Sequence, residues 1–149
     1  MNHFGRIVEV VPKIVSDKSG EMTFYSFGES MAASINRENT QDLNPEHPKA
    51  VKSVTLPCTS LDEFCGTLRP DVIKIDIEGA EYMALRGAEK ILRSRCTSAI
   101  LCEIHPQHMR NCGGSEEELA GYLDGLGYRI VALDARNPQG IYHASIVAK

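Results

Sequence analysis

Apolar and polar positions follow two different periods along this chain, and the second half is the more regular. From Asp71 to Ile77, isoleucines at 73, 75 and 77 alternate with Lys74 and Asp76, a period of two that predicts a strand. A β-branched run of this kind belongs at the centre of a parallel sheet, where charges are costly unless paired or used. The period then changes. Met83, Leu85, Ala88, Ile91 and Leu92 line one side of a helix predicted over Ala80–Ser94. Gly87 lowers helix propensity there and allows the helix to approach the sheet closely. Ala99–Ile104 is the next strand, closed by Pro106. Ser115 caps a helix over Glu116–Leu126, with Glu118 in the reciprocal capping position and Gly127 as its stop. Tyr128–Leu133 and Ile141–Val147 are the last strands, joined by the turn Asn137-Pro138-Gln139-Gly140.

The first half is less regular. Ile7–Val15 predicts a strand interrupted by Pro12, and Met22–Phe27 a second one after a Ser16–Gly20 turn, as a hairpin or an edge excursion. Gly28–Lys52 is polar, with Asn36, Asn39, Asn44, Pro45 and Pro48, and is long for a connection inside one domain. It reads as a substrate-side loop or as a poorly ordered insert. Ser53–Leu56 is a short strand. Ser60–Phe64 is a short helix with Ser60 as N-cap and Glu63 at the capping-box position. The order in the second half is strand, helix, strand, helix, strand, strand. That is an α/β fold with helical crossovers between parallel strands and an antiparallel hairpin at one end.

Composition narrows the function classes. A chain of 149 residues suits one domain with one core. The net charge of -4 and the scattered Lys and Arg argue against a nucleic-acid partner. No apolar run reaches membrane-spanning length, and the start of the chain lacks the apolar core of a secretory signal, so a cytoplasmic location and no membrane partner are expected. Cysteines at 58, 65, 96, 102 and 112 are odd in number and form no CxxC pair, which speaks against a disulfide scaffold or a structural zinc site. Cys102 is expected as a small buried hydrophobe.

The candidate chemistry gathers at the carboxyl ends of two predicted strands, where open α/β sheets bind ligands. Asp76 ends the first and can orient a substrate hydroxyl, assist its deprotonation or ligate a metal; the structural alternative is a cap on the following turn. Glu78 faces the same cleft. Glu81 is accounted for by the helix dipole, and Gly79 by a tight strand–helix turn. His105 ends the next strand and titrates near neutral pH, as a base or a substrate ligand, or as a loop-organising group together with His108. Lys74 and Glu103, two lone charges in apolar runs, are expected to pair. Asp76, Glu103 and His105 offer oxygen and nitrogen donors, but their spacing alone establishes no metal site, and none is assigned.

Several segments together resemble the FkbM family of methyltransferases. They are Leu61-Asp62-Glu63-Phe64, Ile73–Glu81 (IKIDIEGAE), Leu85-Arg86-Gly87-Ala88, Glu103-Ile104-His105-Pro106 and Leu126-Gly127-Tyr128. Val15–Gly20 with Phe24 fits the segment before the family's central strands. The resemblance implies a Rossmann-like fold that uses S-adenosylmethionine to methylate an oxygen of a small molecule or sugar. It implies Asp76, Glu78 and His105 as catalytic residues, with Asp76 and Glu78 also contacting the cofactor. The family carries a glycine-rich cofactor loop, and this sequence contains no GxGxG. The expectation is therefore a partial domain over 1–149, matching the family's C-terminal part and lacking its first core strands. Such a chain alone is expected to bind cofactor weakly and to be inactive, with unpaired sheet edges open to self-association or to a partner that supplies the missing half. The alternative function is a non-catalytic α/β assembly module that pairs with another polypeptide.

Overall fold

The computed structural model describes residues 7–27, 33–41 and 51–149. The alternation from Asp71 onward becomes a four-stranded sheet. Its strands are β5 (Val72–Ile75), β6 (Ala99–Ile104), β7 (Tyr128–Ala132) and β8 (Tyr142–Ala148), in spatial order β5-β6-β8-β7. β5 and β6 are parallel, from Val72 opposite Ala99 to Ile75 opposite Cys102. β8 runs antiparallel to both β6 and β7, so the chain ends in the expected hairpin. Asn137 accepts from the Gly140 amide at 2.8 Å in its turn. Ile100, Cys102, Ile104, Ala144 and Ile146 project into one core, against Leu85, Leu92, Leu119 and Leu123 from the helices. Alternation in the strands and a helical stripe on their connectors thus bury one another, which is the main stabilising term of the molecule.

The connectors differ from their predicted form. The helix expected over Ala80–Ser94 is two: α3 (Glu81–Arg86) and α4 (Glu89–Ser94). A Cβ at Gly87 would collide with the backbone carbonyl of Ser16, so the close approach is real, but its partner is the turn after the first strand. A further helix, α5 (Pro106–Asn111), follows β6 directly. Pro106 occupies its first turn, where its missing N–H and fixed φ suit a helix start. α6 (Glu116–Gly125) begins as expected, with the Ser115 hydroxyl accepting from the Glu118 amide at 3.1 Å.

The N-terminal part builds a second sheet. Its strands are β1 (Ile14–Val15), β2 (Gly20–Phe27), β3 (Ala33–Ser34) and β4 (Val51–Thr59), in order β1-β4-β2-β3. β1 is much shorter than predicted: Ile7 and Val10 are 81% and 84% exposed, and apolar side chains without a surface to cover do not hold a strand. β1 pairs in parallel with β4, Ile14 opposite Cys58, and not with β2, so no hairpin joins the first two strands. β4 exceeds the predicted Ser53–Leu56 because it pairs along all of β2. In the segment expected as a loop, the described residues form β3 and α1 (Arg37–Gln41); 28–32 and 42–50 lie outside them. α2 (Leu61–Cys65) follows β4, with Ser60 accepting from the Glu63 amide at 3.1 Å.

Candidate functional site

Because β5 and β6 are parallel, Asp76–Gly79 and Glu103–His105 emerge at the same edge of the sheet. The loop after β5 is tightly determined. Gly79 has φ +103°, and a Cβ there would come within 2.6 Å of the His108 backbone, so only glycine lets the loop rest on α5. Its amide donates to Glu81 Oε1 at 2.9 Å. Glu78 takes φ +52°, an unfavourable region for a residue with a side chain. Its carbonyl is held by the Ser34 hydroxyl at 3.0 Å and by Asn39 Nδ2 at 3.1 Å. Asn39, 1% exposed, also donates to the His108 carbonyl at 3.2 Å and accepts from Asn111 Nδ2 at 2.7 Å.

Charged side chains converge above this loop. His105 and Glu81 are buried, and His105 Nδ1 lies 2.8 Å from Glu81 Oε1. His105 Nε2 points outward, 3.5 Å from Glu78 Oε2 and 3.8 Å from Glu103 Oε1. His108 stacks on His105 and places Nδ1 3.2 Å from Glu78 Oε2. Asp76 accepts from Lys74 Nζ at 2.8 Å. That bond holds the Asp76 carboxyl below its ordinary range, against the opposing effect of burial. The His108 bond does the same for Glu78. Burial resists protonation of His105, but the hydrogen bond to Glu81 and the charges of Glu81, Glu78 and Glu103 outweigh it and raise its pKa. Burial raises the Cys65, Cys102 and Cys112 thiols and so favours their protonated form.

The loop opens onto a cleft of about 730 Å³ between the two sheets. Val11, Ile14, Phe24 and Leu56 give it an apolar wall, and Asp76, Glu78 and Glu103 an acidic one. Asp76, Glu78 and His105 each offer one donor atom within 4.8 Å of the others, which makes them, among the described residues, a group able to hold a metal ion.

The three residues proposed from sequence thus lie together, and His108 joins them through Glu78. The expected Lys74–Glu103 pair does not form. The Lys74 ammonium turns to Asp76 on its own strand, and Glu103 is met by His143 at 3.7 Å and His105 at 3.8 Å. Glu81 opens α3, where the helix dipole favours it, and its buried carboxylate is in addition the anchor of His105. Nothing local in the sequence marks Asn39 and Ser34 as site residues. Their only sequence signal was a polar segment too long to be a bare connection.

Among the described residues no helix is long and apolar enough to cross a membrane. No curated protein and no solved structure matches the chain. The profile of the methyltransferase FkbM domain matches residues 9–130. That span overturns the expectation of a match confined to the family's C-terminal part, since it takes in the whole N-terminal sheet. The expectation leans on one absent motif, whereas residues 9–71 lie within the match, and Val11, Ile14, Phe24 and Leu56 among them line the cleft. With 9–130 covered, from ahead of β1 into β7, the chain belongs to the methyltransferase FkbM domain family.

Proposed function

We propose that the protein transfers a methyl group from S-adenosylmethionine to a hydroxyl of a small-molecule or sugar acceptor, on a Rossmann-like arrangement of β5, β6 and the closing hairpin. The observation that carries this reading is the convergence of Asp76 and Glu78, which line one cleft, with His105 beside them, in a chain of a methyltransferase family. When bound, the cofactor supplies a methyl group on a positively charged sulfur. A cleft with one apolar and one carboxylate-lined wall suits a cation that also carries an apolar face. Asp76 and Glu78 are the residues assigned to hold it, and both are kept ionised by their neighbours. Asp76, the more exposed, also orients the acceptor hydroxyl. His105 has one nitrogen anchored on Glu81 and the other turned toward the carboxylates, and it completes the polar edge against which the acceptor hydroxyl is set. Orientation and proximity supply most of the acceleration in such a site.

The test is methyl transfer from labelled S-adenosylmethionine to a panel of hydroxyl acceptors, with cofactor binding followed by calorimetry. Cofactor binding is expected, and Asp76→Asn and His105→Gln are expected to slow transfer roughly a hundredfold. Absence of cofactor binding at millimolar concentration would overturn the reading. It would favour a non-catalytic module pairing with another polypeptide, for which β5 offers an edge without a partner strand among the described residues.

A further inference from the structure

We propose that Asp76, Glu78 and His105 bind one divalent first-row transition ion. The inference adds a ligand to the same cleft, but it stands on donor geometry and not on the methyl-transfer reading. One donor atom from each residue lies within 4.8 Å of the others. Two metal–ligand bonds of about 2.0 to 2.4 Å span that separation, so a single ion can bridge the set with small adjustments.

The independent observation is the state of His105. Its ring is 3% exposed, yet Nε2 makes no hydrogen bond among the described residues. The carboxylate oxygens it faces, Glu78 at 3.5 Å and Glu103 at 3.8 Å, stand beyond good hydrogen-bond distance. The ring is buried and held on its Nδ1 side, and Nε2 faces two carboxylates across a gap too wide for a direct bond, a space that a metal ion fits. The other nitrogen is fixed. Nδ1 meets Glu81 Oε1 at 2.8 Å, and the same oxygen accepts the Gly79 amide at 2.9 Å. A carboxylate behind the ring places the proton on Nδ1 and leaves the Nε2 lone pair for the ion, the usual support of a metal-bound histidine. Glu81 is thus a positioning residue.

The donor set selects the class of ion. Two carboxylates and one imidazole suit manganese or iron in the divalent state better than magnesium or calcium, which favour oxygen alone. Three protein ligands leave coordination positions open toward the cleft, where an oxygen-bearing ligand can enter. The Lys74 ammonium now on Asp76 is solvent-exposed and is free to yield its place.

The experiment is titration of the purified, chelator-treated protein with manganese(II), without cofactor or acceptor, read by electron paramagnetic resonance of the free ion and by calorimetry. One ion per chain is expected. Asp76→Asn and Glu78→Gln should each weaken binding more than tenfold, and Glu81→Gln about tenfold through the ring it orients. Glu89→Gln, which alters an exposed pair with Arg93 on α4, should leave affinity unchanged. Paramagnetic broadening should fall first on the His105 ring resonances. Each variant is checked by circular dichroism, and Asp76 and Glu78 are accessible enough for their variants to fold even if a His105 variant does not. Binding that is unaffected by both Asp76→Asn and Glu78→Gln, or broadening that spares His105, would overturn the site. Failure of methyl transfer would leave these readouts untouched.

Discussion

At Glu78 the backbone and the side chain have opposed requirements. A φ of +52° is one that glycine adopts at little cost, yet here it is the Glu78 carboxylate that meets His108 and faces His105. The conflict is resolved from outside, by Ser34 and Asn39 on the Glu78 carbonyl. Asn39→Ala would remove donors to two carbonyls and strand the Asn111 amide. It should cost about 2 to 3 kcal/mol, read as a lowered urea midpoint with an unchanged slope. A loss below about 0.5 kcal/mol, the range of an ordinary surface substitution, would mean that Glu78 needs no clamp. Legibility at this scale follows sequence distance. Asp76, Glu78 and His105 stand out because charges at the end of a β-branched run call for a reason. Asn39 does not, because its partners Glu78, His108 and Asn111 lie 39, 69 and 72 residues away. Glu81 was hidden for a different reason: a local explanation, the helix dipole, was already sufficient.

Among elements, two family-like segments that look unrelated in sequence prove to be one joint. The amide of Asp62, in α2, donates to the Gly87 carbonyl at 2.8 Å. The Asp62 carboxylate accepts from the amides of Lys90 and Ile91 at 2.8 and 3.0 Å. These are orphan donors of the first turn of α4, so α2 caps a helix that is not its own. Apolar periodicity passed unbroken through residues 80–94 and could not reveal the division. The division falls at Gly87, where the Ser16 carbonyl occupies the space a side chain would need. Asp62→Ala should destabilise the protein by about 1 to 2 kcal/mol, while Asp62→Asn, which keeps one acceptor, should lose less. Equal thermal midpoints for the two variants would argue that the carboxylate acts through charge alone. Pro106 reads in sequence as a stop for β6, yet the same fixed φ also starts the helix that follows it.

For the molecule as a whole, the half built from local crossovers was readable and the half built from distant pairings was not. β5, α3, α4 and β6 follow one another in chain and in space. β1 instead finds β4, with Ile14 opposite Cys58, and no pattern within either strand encodes that choice. The far end of the molecule is closed by charge. Arg136 grips both carboxylate oxygens of Glu116, lies over the Tyr142 ring at 4.3 Å, and the Tyr142 hydroxyl donates to Glu116 at 2.7 Å. Arg136, and then Tyr142, hold the Glu116 carboxyl below its ordinary range against burial. A lowered folded value means that the unfolded chain takes up the proton first. The stability from this group is therefore complete above the ordinary glutamate value, near pH 4.3, and is lost as pH falls through the lowered one. The difference in thermal midpoint between the parent and Glu116→Gln should be constant near neutrality and shrink below about pH 4. A gap independent of pH down to 2 would refute the linkage.

The clamp on the Glu78 carbonyl has a consequence at this largest scale. Ser34 and Asn39 belong to β3 and α1, beside the first sheet, while Glu78 belongs to the acidic edge of the second. Anything bound at Glu78 that favours its clamped geometry makes the undocking of α1 harder. By reciprocity, a seated α1 strengthens that binding by the same free energy. One carbonyl oxygen thus serves as the joint through which occupancy on one side of the cleft and order on the other are read as a single equilibrium.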